Sequence, residues 1–265
     1  MWAARPISTP PLSTIRPSEV GARLGSLLLM LLVWQAAAHF ANPRLLPSPL
    51  AVLDSVRVHM ASGDLPRALA ATLARVVAAF ALAMAAGSAL GYAMGRDRAL
   101  DRWLDAPIVV LLNLPALVLI VLAYVWIGLN ETAALVAVAL NKLPNAVVTI
   151  REGARTLDAG LDEMAAVFGF SAAKRLRHVV LPQLAPYIAA STRSGLSLVW
   201  KIVLVVELLG RPNGVGFEIG TAFQLFDVAS LLAYALPFTA IMLTVESLIV
   251  QPFERHAARW RPARG

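Results

Sequence analysis

The chain has 265 residues, of which 58% are hydrophobic and only 15% charged, with a mean hydropathy of +0.70, a balance that excludes an ordinary water-soluble globular domain. It contains no cysteine, which removes disulfide frameworks, thiolate metal sites, iron–sulfur clusters and cysteine nucleophiles together. The formal net charge is +7, but the basic residues are spread over short loops and no basic face alternates with aromatics, so nucleic acid is not the partner they imply.

Residues 1–22 hold Pro6, Pro10, Pro11 and Pro17 among several Ser and Thr, a composition that buries no core and reads as a mobile tail. An apolar run over about 24–40 follows. Ala36-Ala37-Ala38 near its end invites a signal-peptide reading, but the preceding tail is long and sparsely basic, and a first spanning helix is preferred. At Leu46-Pro47-Ser48-Pro49, Ser48 suits a helix N-cap and Pro49 the first turn, where its missing N–H would have been unpaired anyway. Leu50, Leu53, Val56 and Met60 then recur on one face and Gly63 can close the segment in a left-handed cap. Residues 23–66 are thus expected to form the first span and a periplasmic amphipathic helix.

Further apolar runs at about 68–95, 106–128, 132–150, 184–208 and 231–250 are each long enough, at about 1.5 Å per residue, to cross roughly 30 Å of hydrocarbon. The expected fold is all-α: a polytopic membrane helical bundle of six transmembrane helices, with 67–250 as a five-helix core and 251–265 as a basic tail. No internal repeat is evident and no segment alternates with the period of two that a membrane β-barrel requires. With a cytoplasmic N-terminus, fifteen of the 23 Lys and Arg fall on that side and only Arg44, Arg57, Arg67 and Arg211 on the other. The positive-inside rule then puts both termini in the cytoplasm.

Gly87, Gly91 and Gly95 form two overlapping Gly-x3-Gly motifs, which let a neighbouring helix approach closely in a bilayer. Arg75 and Lys142 lie inside spans, where a charge is costly unless it faces the bundle interior, a polar cavity or a partner acid. Asn141, Lys142 and Asn145, with Pro144 loosening the helix, form the candidate translocation pathway, with buried structural polarity as the equal alternative. Trp200, Lys201 and Glu207 are read as structural anchors of the fifth span, and Glu246 as a neutralising acid in the sixth. His39, His59, His178 and His256 are scattered without metal spacing, and no protease or lipase motif is present.

The connector between the fourth and fifth spans, residues 151–183, is far longer than its neighbours. Small residues at Ala165 and Ala166 let a short helix approach another protein, Phe168 can anchor in an apolar pocket, and Gly169 permits a sharp turn. Ser171 can cap a second, basic helix over 172–180, which Pro182 ends before the fifth span. Within the connector, Glu163, Ala165, Gly169, Leu181 and Pro182, with Met164 and Val179 as departures, resemble the Glu-Ala-Ala loop of binding-protein-dependent ABC importer permeases. Leu46-Pro47-Ser48-Pro49, Asn113-Leu114-Pro115, Glu207-Leu208-Leu209-Gly210 and Gly214-Val215-Gly216 extend the resemblance, more loosely, to permeases of taurine, aliphatic sulfonates and nitrate. The resemblance implies a non-enzymatic transport subunit in the bacterial inner membrane, paired as a homodimer and fed by a periplasmic solute-binding protein. It also implies that a cytoplasmic coupling loop of Glu163, Met164, Ala165, Ala166, Phe168, Gly169, Leu181 and Pro182 docks an ATP-binding subunit. No phosphate loop occurs in this chain, so ATP and magnesium belong to that partner and no cofactor is expected here. The competing expectation is an ion-gradient-driven secondary transporter, which would place ionisable residues and broken helices near the midplane.

Overall fold

The computed structural model describes residues 17–252. The rest of both expected tails, with His256 and the terminal arginines, lies outside the described residues. Residues 17–22, expected as tail, already belong to the first helix, α1 (Pro17–Phe40). It is followed by α2 (Pro49–Ala61), α3 (Asp64–Arg96), α4 (Arg98–Asn113), α5 (Ala116–Ile127) and α6 (Glu131–Arg155). Then come two short helices, α7 (Ala159–Val167) and α8 (Ala172–Arg175), and the long α9 (Leu181–Gly210), α10 (Val215–Gln224) and α11 (Val228–Val245). Among the described residues there is no strand. Three helices, Asp64–Arg96, Glu131–Arg155 and Val228–Val250, are long and apolar enough to cross a membrane, and a fourth crossing is available if α4 and α5 count as one.

That pair corrects the single span expected over 106–128. α4 and α5 meet at a bend of 102°, because Pro115 has no N–H to continue the helical ladder and drives Leu114 out of the helical region, to φ −71 and ψ 129. The apolar run was legible, but its straightness was not.

α3 lies directly on α6, and the glycine register explains how. A Cβ on Gly87 would sit 2.6 Å from Ala146 Cβ, one on Gly91 2.5 Å from the Val147 carbonyl oxygen, and one on Gly95 2.5 Å from Ala154 Cβ. The three glycines form a trough in which α6 rests backbone to backbone. Val76 and Ala79 of α3, Ala134, Ala137 and Val138 of α6, and Val199, Val203 and Val206 of α9 close the main core, joined by Ile120 and Tyr124 of α5. The Tyr124 hydroxyl donates to the Val206 carbonyl at 2.8 Å.

α2 is capped as expected: Ser48 Oγ accepts from the Ala51 N–H at 3.2 Å, and Gly63 takes φ +80. Its packed face differs. Val52, Ser55, Val56 and His59 turn toward the protein, whereas Leu50, Leu53 and Met60 are exposed. His59 holds α11 through Ser230 Oγ at 3.1 Å and the Tyr234 hydroxyl at 3.2 Å. The inward face thus mixes Val52 and Val56 with Ser55 and His59, and the outward face mixes Leu50, Leu53 and Met60 with the exposed ion pair of Asp54 and Arg57.

Candidate functional site

The connector folds from local rules. Asp158 Oδ1 accepts from the Gly160 N–H at 2.7 Å and caps α7. At the other end the Phe170 N–H bonds the Ala165 carbonyl at 2.9 Å and the Gly169 N–H bonds the Ala166 carbonyl at 3.0 Å, the paired bonds of a Schellman cap. Gly169 has φ +62 and nothing within 4 Å of where a Cβ would stand, so the demand for glycine is conformational, not steric. Ser171 Oγ then accepts from the Lys174 N–H at 3.3 Å and starts α8.

The second helix does not stop where the sequence suggested. From α8 the chain runs through a π turn (Leu176–Val180) straight into α9, with Pro182 in its first turn. The wider turn relieves the clash that a proline ring makes with the carbonyl one turn back, and Gln183 Nε2 donates to the Val179 carbonyl at 3.0 Å. The corner at Gly169 is therefore the one break between α7 and the far end of α9.

Exposure divides the predicted residues. Glu163, Met164, Ala166, Leu181 and Pro182 are exposed, and Phe168 is 71% exposed. Ala165 is 1% exposed and faces the chain itself, so a close approach by another protein falls to Ala166 alone. Leu161 and Val167, unremarked in the sequence, are also exposed and extend the apolar tip. Asp162, likewise missed, holds the helix in place: its carboxylate pairs with Arg96 of α3 at 2.8 Å and with Arg175 of α8 at 2.8 Å. The Arg175 hydrogen bond, aided by the charges of Arg175 and Arg96, holds the Asp162 carboxyl below its ordinary value against a smaller opposing effect of burial. Beside it, Arg151 of α6 reaches Asp101 at 3.2 Å and Asp105 at 2.5 Å on α4, and Arg155 pairs with Asp101.

The candidate pathway residues behave differently from one another. Lys142 is 1% exposed. Its Nζ donates to Asn145 Oδ1 at 2.6 Å, to the Ser191 carbonyl at 3.0 Å and to Ser191 Oγ at 3.3 Å. A Cβ on Gly195 of α9 would stand 2.0 Å from Lys142 Cε, so the missing side chain there is what makes room for the lysine. Asn141 and Asn145 stay half-buried at the edge of the α6–α9 contact.

At the opposite end of the bundle, Arg75 spends all five N–H donors. Nε and Nη2 reach the two Glu131 oxygens at 2.7 and 3.1 Å, and Nη1 reaches Glu207 Oε1 at 2.7 Å and the Asn213 carbonyl at 3.0 Å. Nη2 also meets Asn213 Oδ1. Glu207, fully buried, accepts from Thr72 Oγ1 at 2.9 Å and from the Gly216 N–H at 2.8 Å. It thereby caps α10, whose own cap residue, Gly214, offers no side chain and at φ +108 leaves no room for one: its Cβ would stand 2.4 Å from the carboxyl carbon. Arg211 adds an ion pair to Glu131 at 2.9 Å.

Residues 83–255 match the family described as the binding-protein-dependent transport system inner membrane component. The chain belongs to this family. Among its relatives, the permease is 35% identical over 233 residues to the putative aliphatic sulfonates transport permease of Escherichia coli, covering 87% of this chain and 88% of that one. It is 26% identical over 249 residues to the taurine transport system permease of the same organism, covering 91% and 90%. An inward-facing structure of a methionine ABC transporter superposes with a TM-score of 0.61 at 16% identity, covering 75% of the permease and 98% of that chain. The permease is thus an ABC importer permease of the taurine and sulfonate type. Its matched region begins inside α3 and takes in the Gly87–Gly91–Gly95 trough, the connector with α7, and α9 with Glu207.

Proposed function

We propose that this permease is the membrane subunit of an ATP-driven importer, in which two copies form the solute path and α7 of each copy seats in an ATP-binding subunit. One observation carries the coupling role. An apolar tip of Leu161, Met164, Val167 and Phe168 stands exposed on a helix fixed at both ends by caps and tied at Asp162 to two arginines. A rigid apolar anchor ringed by charge is what a docking contact needs and a free connector does not.

In this reading α1, α3, the α4–α5 pair, α6, α9 and α11 make six crossings of the inner membrane. Both termini and α7 are cytoplasmic, and α2 lies at the periplasmic surface. The Lys and Arg excess at the α7 end supports that orientation. A periplasmic binding protein delivers the solute, and ATP with magnesium is handled by the partner ATPase. The names of the sulfonate and taurine relatives make a small organic anion the first candidate for the solute.

Reconstitution into vesicles tests this. Uptake requires the ATPase, ATP and the binding protein, and persists when proton and sodium gradients are collapsed. Uptake by the permease alone, driven by an ion gradient, overturns the proposal. A cysteine placed at Phe168, in a chain that has none, should cross-link to the ATPase surface groove.

A further inference from the structure

The outward side of α9 carries Ser194 and Lys201 between the exposed apolar Leu198 and Val205, polar groups where a surface facing lipid alone would be apolar throughout. Ser194, Ser197 and Lys201 follow one another at spacings of three and four residues, on one face of a 3.6-residue helix. Ser194 and Lys201 are exposed and Ser197 is half-buried. The two serines sit near the middle of the 30-residue helix, and Lys201 lies nine residues before its end at Gly210, about 13 Å along the axis. The exposed surface of α11 presents Leu236 and Leu243 beside Thr244 and carries no charged side chain.

The two intramembrane lysines are opposites. Lys142 is buried and its ammonium is surrounded by acceptors. Lys201 is exposed, has no ion pair or hydrogen bond among the described residues, and meets only the face of its neighbour Trp200, at 5.5 Å. An ammonium in that position is costly against hydrocarbon, so an exposed one implies water or an anion beside it. No Asp or Glu occurs from 183 to 201; Glu246 shares a small pocket with Ser197 and Arg193, and Arg193 and Lys201 outnumber that one acid along the stripe. Asn145 extends the stripe onto α6: its Oδ1 accepts from Ser194 Oγ at 3.5 Å and from Lys142.

We propose that this face of α9 lines the solute path and that Lys201 holds the anionic group of the solute as it passes, with Ser194 and Ser197 offering hydroxyls below it. The occupant is a small singly charged oxoanion, a sulfonate or carboxylate, which an ammonium flanked by hydroxyl donors matches in charge and hydrogen bonding. The inference rests on the importer reading. It moves the pathway contact from Lys142, the lysine favoured by the sequence, to one that the sequence assigned to anchoring.

The absence of cysteine makes the test direct. Ser197→Cys, and Leu243→Cys as a lipid-facing control, are prepared in the full permease assembled with its ATPase in vesicles and treated with anionic and cationic methanethiosulfonates. Ser197→Cys should react at least tenfold faster than Leu243→Cys and should favour the anionic reagent. At the roughly 6 Å separating helix positions i and i+4, one charge in water changes each rate about threefold, in opposite directions for the two reagents. Adding Lys201→Met should therefore lower the anionic-to-cationic rate ratio about tenfold, while Lys201→Arg keeps it. ATP-dependent uptake is measured in the same vesicles, and Lys201→Met should cut anion uptake at least tenfold. A Ser197 cysteine as slow as the Leu243 control, or a rate ratio indifferent to Lys201→Met, overturns the stripe even where wild-type uptake is intact. A reactive, charge-selective stripe in vesicles whose wild-type permease shows no ATP-dependent uptake overturns the importer reading, and with it the solute path.

Discussion

Removing Arg75 should be among the most destabilising single changes in this permease. Its cost can be worked from the contacts. Arg75→Met leaves Glu207 with two donors, Thr72 Oγ1 and the Gly216 N–H, but with no opposite charge at a fully buried site. Breaking a buried ion pair from one side costs about 3–5 kcal/mol. Glu131 adds little, because its side chain is nearly half exposed and keeps Arg211 at 2.9 Å. Glu207→Gln is milder. The amide oxygen can still accept from Thr72 and Gly216, but its NH2 then opposes the Arg75 guanidinium, donor against donor, at a cost of about 1–3 kcal/mol. The double variant buries neither an unmatched charge nor opposed donors, so its loss should fall short of the sum by about 1–3 kcal/mol. Detergent-unfolding titrations followed by tryptophan fluorescence measure all three. Additivity within about 0.5 kcal/mol, or a loss below about 1 kcal/mol for Arg75→Met, would refute this account of the network. Arg75→Lys should not rescue, because three rotatable donors cannot replace a fork with all five N–H groups engaged.

Gly91→Ala places a Cβ 2.5 Å from the Val147 carbonyl and should cost about 1–3 kcal/mol in the same titration, whereas Gly25→Ala, inside α1 with nothing within 4 Å, should cost nothing and gain up to about 1 kcal/mol of helix propensity. Phe168→Ala removes an exposed side chain, so stability should stay within about 0.5 kcal/mol. Loss of a docking anchor worth about 2 kcal/mol or more should nonetheless weaken ATPase association by at least tenfold, read by co-purification at graded concentration. Asp162 has a depressed folded-state value, so its stabilising contribution is complete above the ordinary carboxylate range and is lost as pH falls through the lower folded value. Amide exchange in α7 should accordingly be flat, once corrected for intrinsic rates, from neutral pH down to that range and rise only below it; Asp162→Asn should raise it where Asp162 is ionised and make little difference below the folded value.

What the sequence made legible was local. Ser48, Gly63, Gly169 and Ser171 act at helix ends, where each conformation depends on residues within one turn, and the glycines of α3 declare themselves by spacing alone. What it hid depends on which helix lies opposite. Arg75 was readable as a charge in need of a partner, but its acids lie 56 and 132 residues away, beyond any periodicity. Hydropathy scores Lys142 and Lys201 alike; the gap left by Gly195 across the α6–α9 contact separates a buried lysine from an exposed one. Ala165 and Ala166 are likewise neighbours of equal size, and only the packing of α7 turns the first inward. Pro115 lies inside the run over 106–128, which was expected as one span, and the 102° bend there was not read from it.

These features meet on α9. Its far end is fixed, because Glu207 is held to α3 by Arg75 and Thr72 and caps α10. Its near end passes without a corner through the π turn to α8, one residue turn from α7 at Gly169. Between them, Lys142 binds Ser191 and ties α9 to α6. A helix of 30 residues is about 45 Å long, and a tilt of about 5° around the Glu207 anchor displaces its near end by about 4 Å. Under the proposed docking, a displacement of α7 would be carried as tilt along the segment that bears Ser194, Ser197 and Lys201, and would shrink toward the Arg75 network. This arrangement expects variants at Glu207 to loosen the pivot and uncouple ATP hydrolysis from uptake, while variants at Lys201 leave hydrolysis coupled and change which solutes pass.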